Sequence, residues 1–159
     1  MKTASVKEIK NELQSSSHEQ LSELLMRVVR FKKENKEFLT YLLFESENEQ
    51  EYITNIKETL HLLFTEVNVK SLYITKKNIR KIVRLANRFI KYSSETVTLI
   101  EVYIYICEEI NDLQIDLKKS TALLNLYNSL VKKIEKQLLL LHEDLRYDYH
   151  KELVKILNS

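Results

Sequence analysis

The chain contains no glycine, no proline and no tryptophan, and it has one cysteine, Cys107, among 159 residues. Average usage would put roughly a dozen glycines and about eight prolines in that length. Glycine supplies the positive-φ positions of hairpin turns, phosphate-cradling loops and nucleophile elbows, and proline fixes many other turns. Without glycine, the Walker phosphate loop, the GxGxxG dinucleotide turn and the GxSxG elbow are absent, because each needs a backbone approach or dihedral that glycine provides. A single cysteine also precludes an intramolecular disulfide. No run approaches the ~18 apolar residues of a membrane span, and Lys2, Lys7 and Glu8 put charge where a secretory signal needs an apolar core. These features predict a cytoplasmic protein. Lys and Arg number 25 against 23 Asp and Glu, a net charge of +2, so any preference for an anionic partner must lie in how the charge is distributed.

What is present reads as helix. Ser5 with Glu8 and Ser17 with Gln20 match the capping box, in which a hydroxyl accepts from the N3 amide and the N3 side chain reaches back. They predict helices over 5–14 and 17–31. The run Phe38, Leu39, Tyr41, Leu42, Leu43 and Phe44 is apolar all round, which predicts a buried short helix over 36–45. Asn48 caps a helix carrying Tyr52, Ile53, Ile56, Leu60, Leu63, Phe64 and Val67, and the β-branched stretch from Val67 to Ile74 is ambiguous. Thr75 precedes a helix over 76–92, and Ser93-Ser94 separates it from one over 95–117. Leu99, Tyr103, Ile106, Ile110, Leu113 and Leu117 step by four and three, as do Leu124, Tyr127, Val131, Ile134, Leu138, Leu141 and Leu145, which is a coiled-coil-like seam. Both series fit one continuous helix through Ser120. A hairpin broken at 118–121 is preferred, because Ser120 can cap and a small domain needs its apolar seams folded together. A last helical segment runs from Tyr147 to Leu157.

Several constellations could carry chemistry. Glu58 and His61 have the Glu-x-x-His spacing of di-iron bundles, but no second copy exists, so no metal site is assigned and no cofactor is expected. Between His142 and His150, Asp144 and Asp148 share a helical face, yet no partner segment rich in Ser, Cys or His accompanies them, so a polar helix end is the expectation. Cys107 lies among Tyr103, Ile106 and Ile110 with no basic neighbour, which predicts a buried, inert thiol. The chain is therefore not expected to be an enzyme.

The sharper feature is the helix near 76–92. There Lys77, Arg80, Lys81, Arg84, Arg88 and Lys91 fall within about 60° of one direction, opposite Ile79, Ile82, Val83, Ala86 and Ile90. No acidic residue interrupts 70–94, while Glu45, Glu47, Glu49 and Glu51 cluster before it and Glu108, Glu109, Asp112 and Asp116 after it. A stripe of this kind suits an acidic partner or a phosphate backbone, and it suits pairing with the chain's own carboxylates equally well.

The stretches Ser5-Val6-Lys7-Glu8-Ile9-Lys10, Arg30 to Glu37 and Leu141 to Tyr149 resemble an uncharacterised bacterial all-helical family. That resemblance implies a bacterial origin, a helical fold and no site residue. The sequence thus predicts an all-α fold in one domain over 1–159, either a multi-helix bundle or an irregular HEAT-like helical stack, with a long C-terminal helical hairpin. The expected function is a non-enzymatic helical interaction module, monomeric or weakly dimeric, whose partner is another protein and not a membrane. The alternative is a nucleic-acid binder using the 76–92 stripe.

Overall fold

The computed structural model describes residues 2–158. The fold is all-α, 83% helical, with eight α-helices and no strand among the described residues. The chain, expected from its length as one domain, divides into two compact units, Met1–Phe44 and Glu45–Ser159.

The first unit holds α1 (Val6–Ser15), α2 (His18–Phe31) and α3 (Lys33–Thr40). Both capping boxes form. Ser5 N–H donates to Glu8 Oε2 at 2.7 Å while Glu8 N–H donates to Ser5 Oγ at 3.3 Å. Ser17 N–H donates to Gln20 Oε1 at 2.8 Å, and Gln20 N–H to Ser17 Oγ at 3.2 Å. The Ser5 hydroxyl and amide hold the Glu8 carboxyl below its ordinary value. Extended backbone at Lys32 breaks α2 from α3, and Asn35 Nδ2 donates to the Val28 carbonyl at 2.7 Å, so the two helices pack together. The expected buried helix over 36–45 is corrected in two respects. It begins earlier, at Lys33, and it ends in a turn of π-helix over Tyr41–Glu45. Of its apolar run only Tyr41 is buried, and Phe44 is 79% exposed. A unit this short has too little chain to surround a helix that is apolar on every side.

The second unit is a bundle of α4 (Glu49–Thr65), α5 (Leu72–Ser93), α6 (Thr96–Asp112), α7 (Thr121–Leu138) and α8 (Glu143–Asn158). Helix α6 packs against each of the other four and most extensively against α7. A stack would confine contacts to sequence neighbours, so contacts of α6 with α4 and α8 make this unit a bundle. The seam expected as a two-helix stripe is therefore broader. Ile100, Val102, Tyr103, Ile104, Ile106, Cys107 and Ile110 of α6 are all buried, as are Leu60 of α4, Ile79 and Ala86 of α5, and Leu130 and Ile134 of α7, the helices α6 packs against.

The 99–145 region is a hairpin, and its break falls at 113–120. Helix α6 stops at Asp112, leaving Leu113 and Leu117 outside it, with Gln114 at φ 51° and a 3-10 turn over Leu117–Lys119 before α7. Asp116 accepts from the Lys118 amide at 3.0 Å and so competes with continued helix. Ser120 stands at the N-cap of α7, but its side chain makes no capping bond. Leu141 and Leu145 likewise fall outside α7, and α8 starts at Glu143 rather than Tyr147.

Thr75 is not the cap of α5 but lies inside it. Its hydroxyl reaches the Asn68 and Ser71 carbonyls at 2.8 and 2.9 Å, which satisfies a fully buried polar group and draws the preceding loop onto the first turn. At the other end, Ser94 takes the left-handed position usually given to glycine, at φ 61°, and its N–H donates to the Ile90 carbonyl at 2.9 Å. Beside this turn the Glu49 carboxylate accepts from the Ser93 and Thr98 hydroxyls, which ties the start of α4 to the α5–α6 junction.

Candidate functional site: the basic face of α5

Helix α5 buries Thr75, Ile79, Ile82, Val83, Ala86 and Ile90 against the bundle, which fixes the opposite face outward. Lys77, Arg80, Lys81, Arg84 and Lys91 are exposed there, and among the described residues none of them makes an ion pair with a carboxylate. Arg84 Nε donates to the Arg80 carbonyl at 3.3 Å, so part of its guanidinium is committed along the helix. Arg88 departs from the expected stripe. It is half-buried, with its guanidinium 5.9 Å from the Phe89 ring centre.

Three carboxylates of the bundle have partners outside Lys77, Arg80, Lys81, Arg84 and Lys91. Glu101 accepts from Lys57 Nζ at 2.7 Å and from the Tyr149 hydroxyl at 2.8 Å. Glu109 accepts from the Tyr105 hydroxyl and lies 2.8 Å from His61 Nδ1. Glu49 faces Ser93 and Thr98.

Two grooves flank the stripe. Toward α4, about 490 Å³ is enclosed by Leu63, Glu66, Asn78, Lys81, Ile82, Arg84, Leu85 and Arg88, so one carboxylate faces the cations there. Toward α7, a cleft of about 640 Å³ is lined by Tyr73, Lys76, Lys77, Arg80, Val83, Arg84, Asn87 and Leu126, with no carboxylate. Lys76 Nζ sits 5.4 Å from the Tyr73 ring centre, and Tyr73 is 71% exposed. At the base of this region the Tyr103 hydroxyl donates to Asn87 Oδ1 at 2.8 Å, and Lys133 of α7 donates to that hydroxyl at 3.4 Å while lying over the Tyr103 ring. Tyr73, Lys76 and Lys133 were not singled out in the sequence. Tyr73 sits about one turn before the expected helix start and Lys76 at that start, and Lys133 comes near through the packing of α7 on α6, which no local pattern records.

The other candidates take structural places. Glu58 and His61 line a groove with Lys57 and Tyr105, but His61 turns to Glu109 of α6, and among the described residues no group of three His, Cys, Asp or Glu side chains converges. Asp144 and Asp148 are exposed near the start of α8, with His142 3.6 Å from Asp144. Burial pushes the Tyr105 and Tyr149 hydroxyls well above their ordinary range, and their bonds to Glu109 and Glu101 push them the same way. Burial also raises the Glu108 carboxyl, against the opposing pull of Lys57.

Cys107 is fully buried, and burial, with Glu108 nearby, pushes its thiol up to about 12. The folded chain keeps this proton where an unfolded thiol releases it, near 9.0. Stability carried by the thiol is therefore intact below pH 9.0 and is lost as pH rises toward about 12. Urea titrations across that range should show falling stability, with a smaller fall in Cys107→Ala. Labelling of Cys107 by a thiol reagent at pH 8 should proceed only as fast as the bundle opens.

No helix among the described residues is long and apolar enough to cross a membrane. No family model, curated protein or solved structure matches the chain.

Proposed function

We propose that the protein is a non-enzymatic helical interaction module whose partner is another protein, docked on the apolar face of the N-terminal helices. The observation that carries this reading is that neither α1 nor α2 contains a buried residue. Leu21, Leu24, Leu25, Val28 and Phe31 recur at helical spacing along α2 and stay exposed, as do Val6, Ile9 and Leu13 along α1. A capped amphipathic helix whose apolar ridge is left open is a surface waiting for a second apolar ridge.

The chemistry of the partner follows from the rim. Leu24, Val28 and Phe31 line a groove of about 630 Å³ bordered by Arg27 and Arg30, with no carboxylate. The matching surface is a helix with an apolar stripe flanked by Asp or Glu.

A synthetic amphipathic peptide with a leucine face and glutamate flanks should bind, and the same peptide with lysine flanks should bind far more weakly. Covering a half-exposed Leu or Val contributes on the order of 1 kcal/mol, and a carboxylate forced into the groove costs more. Leu24→Asp with Val28→Asp should therefore weaken binding by about a hundredfold or more. Equal binding of both peptides would overturn the reading, as would concentration-dependent dimerisation that the double variant abolishes without any peptide binding, since a second copy would then be the occupant.

A further inference from the structure

The cleft between α5 and α7 is lined by four cations, Lys76, Lys77, Arg80 and Arg84, against Arg27 and Arg30 in the protein-docking groove, and it lies in the other compact unit. We propose that it is a binding site for single-stranded nucleic acid, with Lys77, Arg80 and Arg84 on the phosphates and Tyr73 as a stacking platform for a base. This goes beyond the protein-partner reading and does not depend on it.

Three observations converge on that ligand. First, the cleft presents Lys76, Lys77, Arg80 and Arg84 with no carboxylate among its lining residues, so nothing within it competes for these cations. A structural role in pairing would have placed Glu or Asp there, as Glu66 is placed in the groove on the α4 side. Second, a cation of α7 stands behind the lining, linked to it through Tyr103 and Asn87. Lys133 of α7 is oriented by the Tyr103 hydroxyl and ring, and Tyr103 in turn holds Asn87, a residue of the cleft lining. Third, an aromatic ring stands exposed at one end of the row. At about 1.5 Å per residue, Tyr73, Lys77, Arg80 and Arg84 run along roughly 17 Å of helix, the length of a short stretch of nucleotides.

The ring decides between ligand classes. An acidic protein would use the cations and leave Tyr73 in water, and a duplex hides its bases from a side chain at the backbone. A single strand offers phosphates to the row and an unstacked base to the ring. The Lys76 ammonium lies over one face of the Tyr73 ring, 5.4 Å from its centre, so the base stacks on the other face. RNA and DNA share this chemistry.

The test uses the full chain and fluorescence anisotropy with labelled oligo(U) and oligo(dT) of about 15 nucleotides. A duplex of equal length and a poly-glutamate peptide serve as competing ligands, in salt from about 50 to 200 mM. The single strands should bind tightest, with a log–log salt slope of about −0.7 per phosphate contacted. Arg80→Gln with Arg84→Gln should flatten that slope by about 1.4. Tyr73→Ala should weaken binding by about five- to a hundredfold while leaving the slope unchanged, because it removes stacking and no charge. All three side chains are exposed, so the thermal melts should match the unaltered protein. Leu24→Asp with Val28→Asp should bind the oligonucleotides normally, which separates failure of this proposal from failure of the protein-partner reading. No binding of single strands at low salt would overturn the site. Preference for the duplex, equal affinity for poly-glutamate, or full affinity in Tyr73→Ala would each overturn its assignment to single strands.

Discussion

Ile106→Ala is expected to cost about 3–5 kcal/mol of the stability of the α4–α8 bundle, read from urea unfolding followed by far-UV dichroism. Ile106 is fully buried on α6, the helix that touches each of the other four. Losing three carbons there removes burial and leaves a void that no single neighbour can fill, because α4, α5, α7 and α8 are each held by their own contacts with one another. The control is Leu62→Ala on α4, where the side chain is 66% exposed and the expected change is within about 0.5 kcal/mol. If Ile106→Ala lost no more than Leu62→Ala, α6 would not be the centre of the bundle.

Glu101→Ala is expected to cost about 2–3 kcal/mol, the larger of the polar effects in this chain. Glu101 is only 13% exposed and receives both Lys57 from α4 and Tyr149 from α8. Its removal leaves the Tyr149 hydroxyl in a half-buried place without its acceptor, while Lys57, 33% exposed, can recover part of its hydration. Glu101→Gln keeps an acceptor for Tyr149 and should cost about half as much. The pair His61–Glu109 has the same geometry, but His61 is 59% exposed, so His61→Ala should cost under about 1 kcal/mol. Equal losses for Glu101→Ala and His61→Ala, measured as midpoints of thermal unfolding, would contradict this ranking.

The helical character of the chain was legible because its signals are local. Ser5, Ser17 and Asn48 cap where their spacing placed them, and each capping bond lies within four residues. Errors begin where the deciding contact is distant. The apolar run Phe38–Phe44 reads as buried from composition, yet burial depends on how much other chain is available to cover it. Thr75 has the look of a cap, but its hydroxyl bonds back to carbonyls at Ser71 and Asn68, and so α5 starts a turn sooner. The heptad through Leu113, Leu117 and Ser120 would suit a continuous helix, and a left-handed Gln114 with the Asp116 side-chain bond ends it instead.

The basic stripe was readable from angular spacing alone, since periodicity sets which face of α5 is buried. The cleft beside it was not. Its second wall is α7, represented by Leu126 some 40 residues later, and the Tyr103 and Lys133 contacts behind Asn87 arise from tertiary packing. The half-burial of Arg88 was hidden for the same reason.

The most direct measurement of the central claim, that the apolar face of α2 receives a protein partner, is site-specific cross-linking in the producing cells. A photoreactive residue in place of Phe31, 77% exposed at the end of that face, should yield an adduct with another protein. The cross-linked segment should be an amphipathic helix with carboxylates flanking its apolar stripe, and the adduct should vanish when Leu24→Asp and Val28→Asp are added. Adducts confined to the chain itself or to a second copy of it, or to a segment without that pattern, would contradict the account.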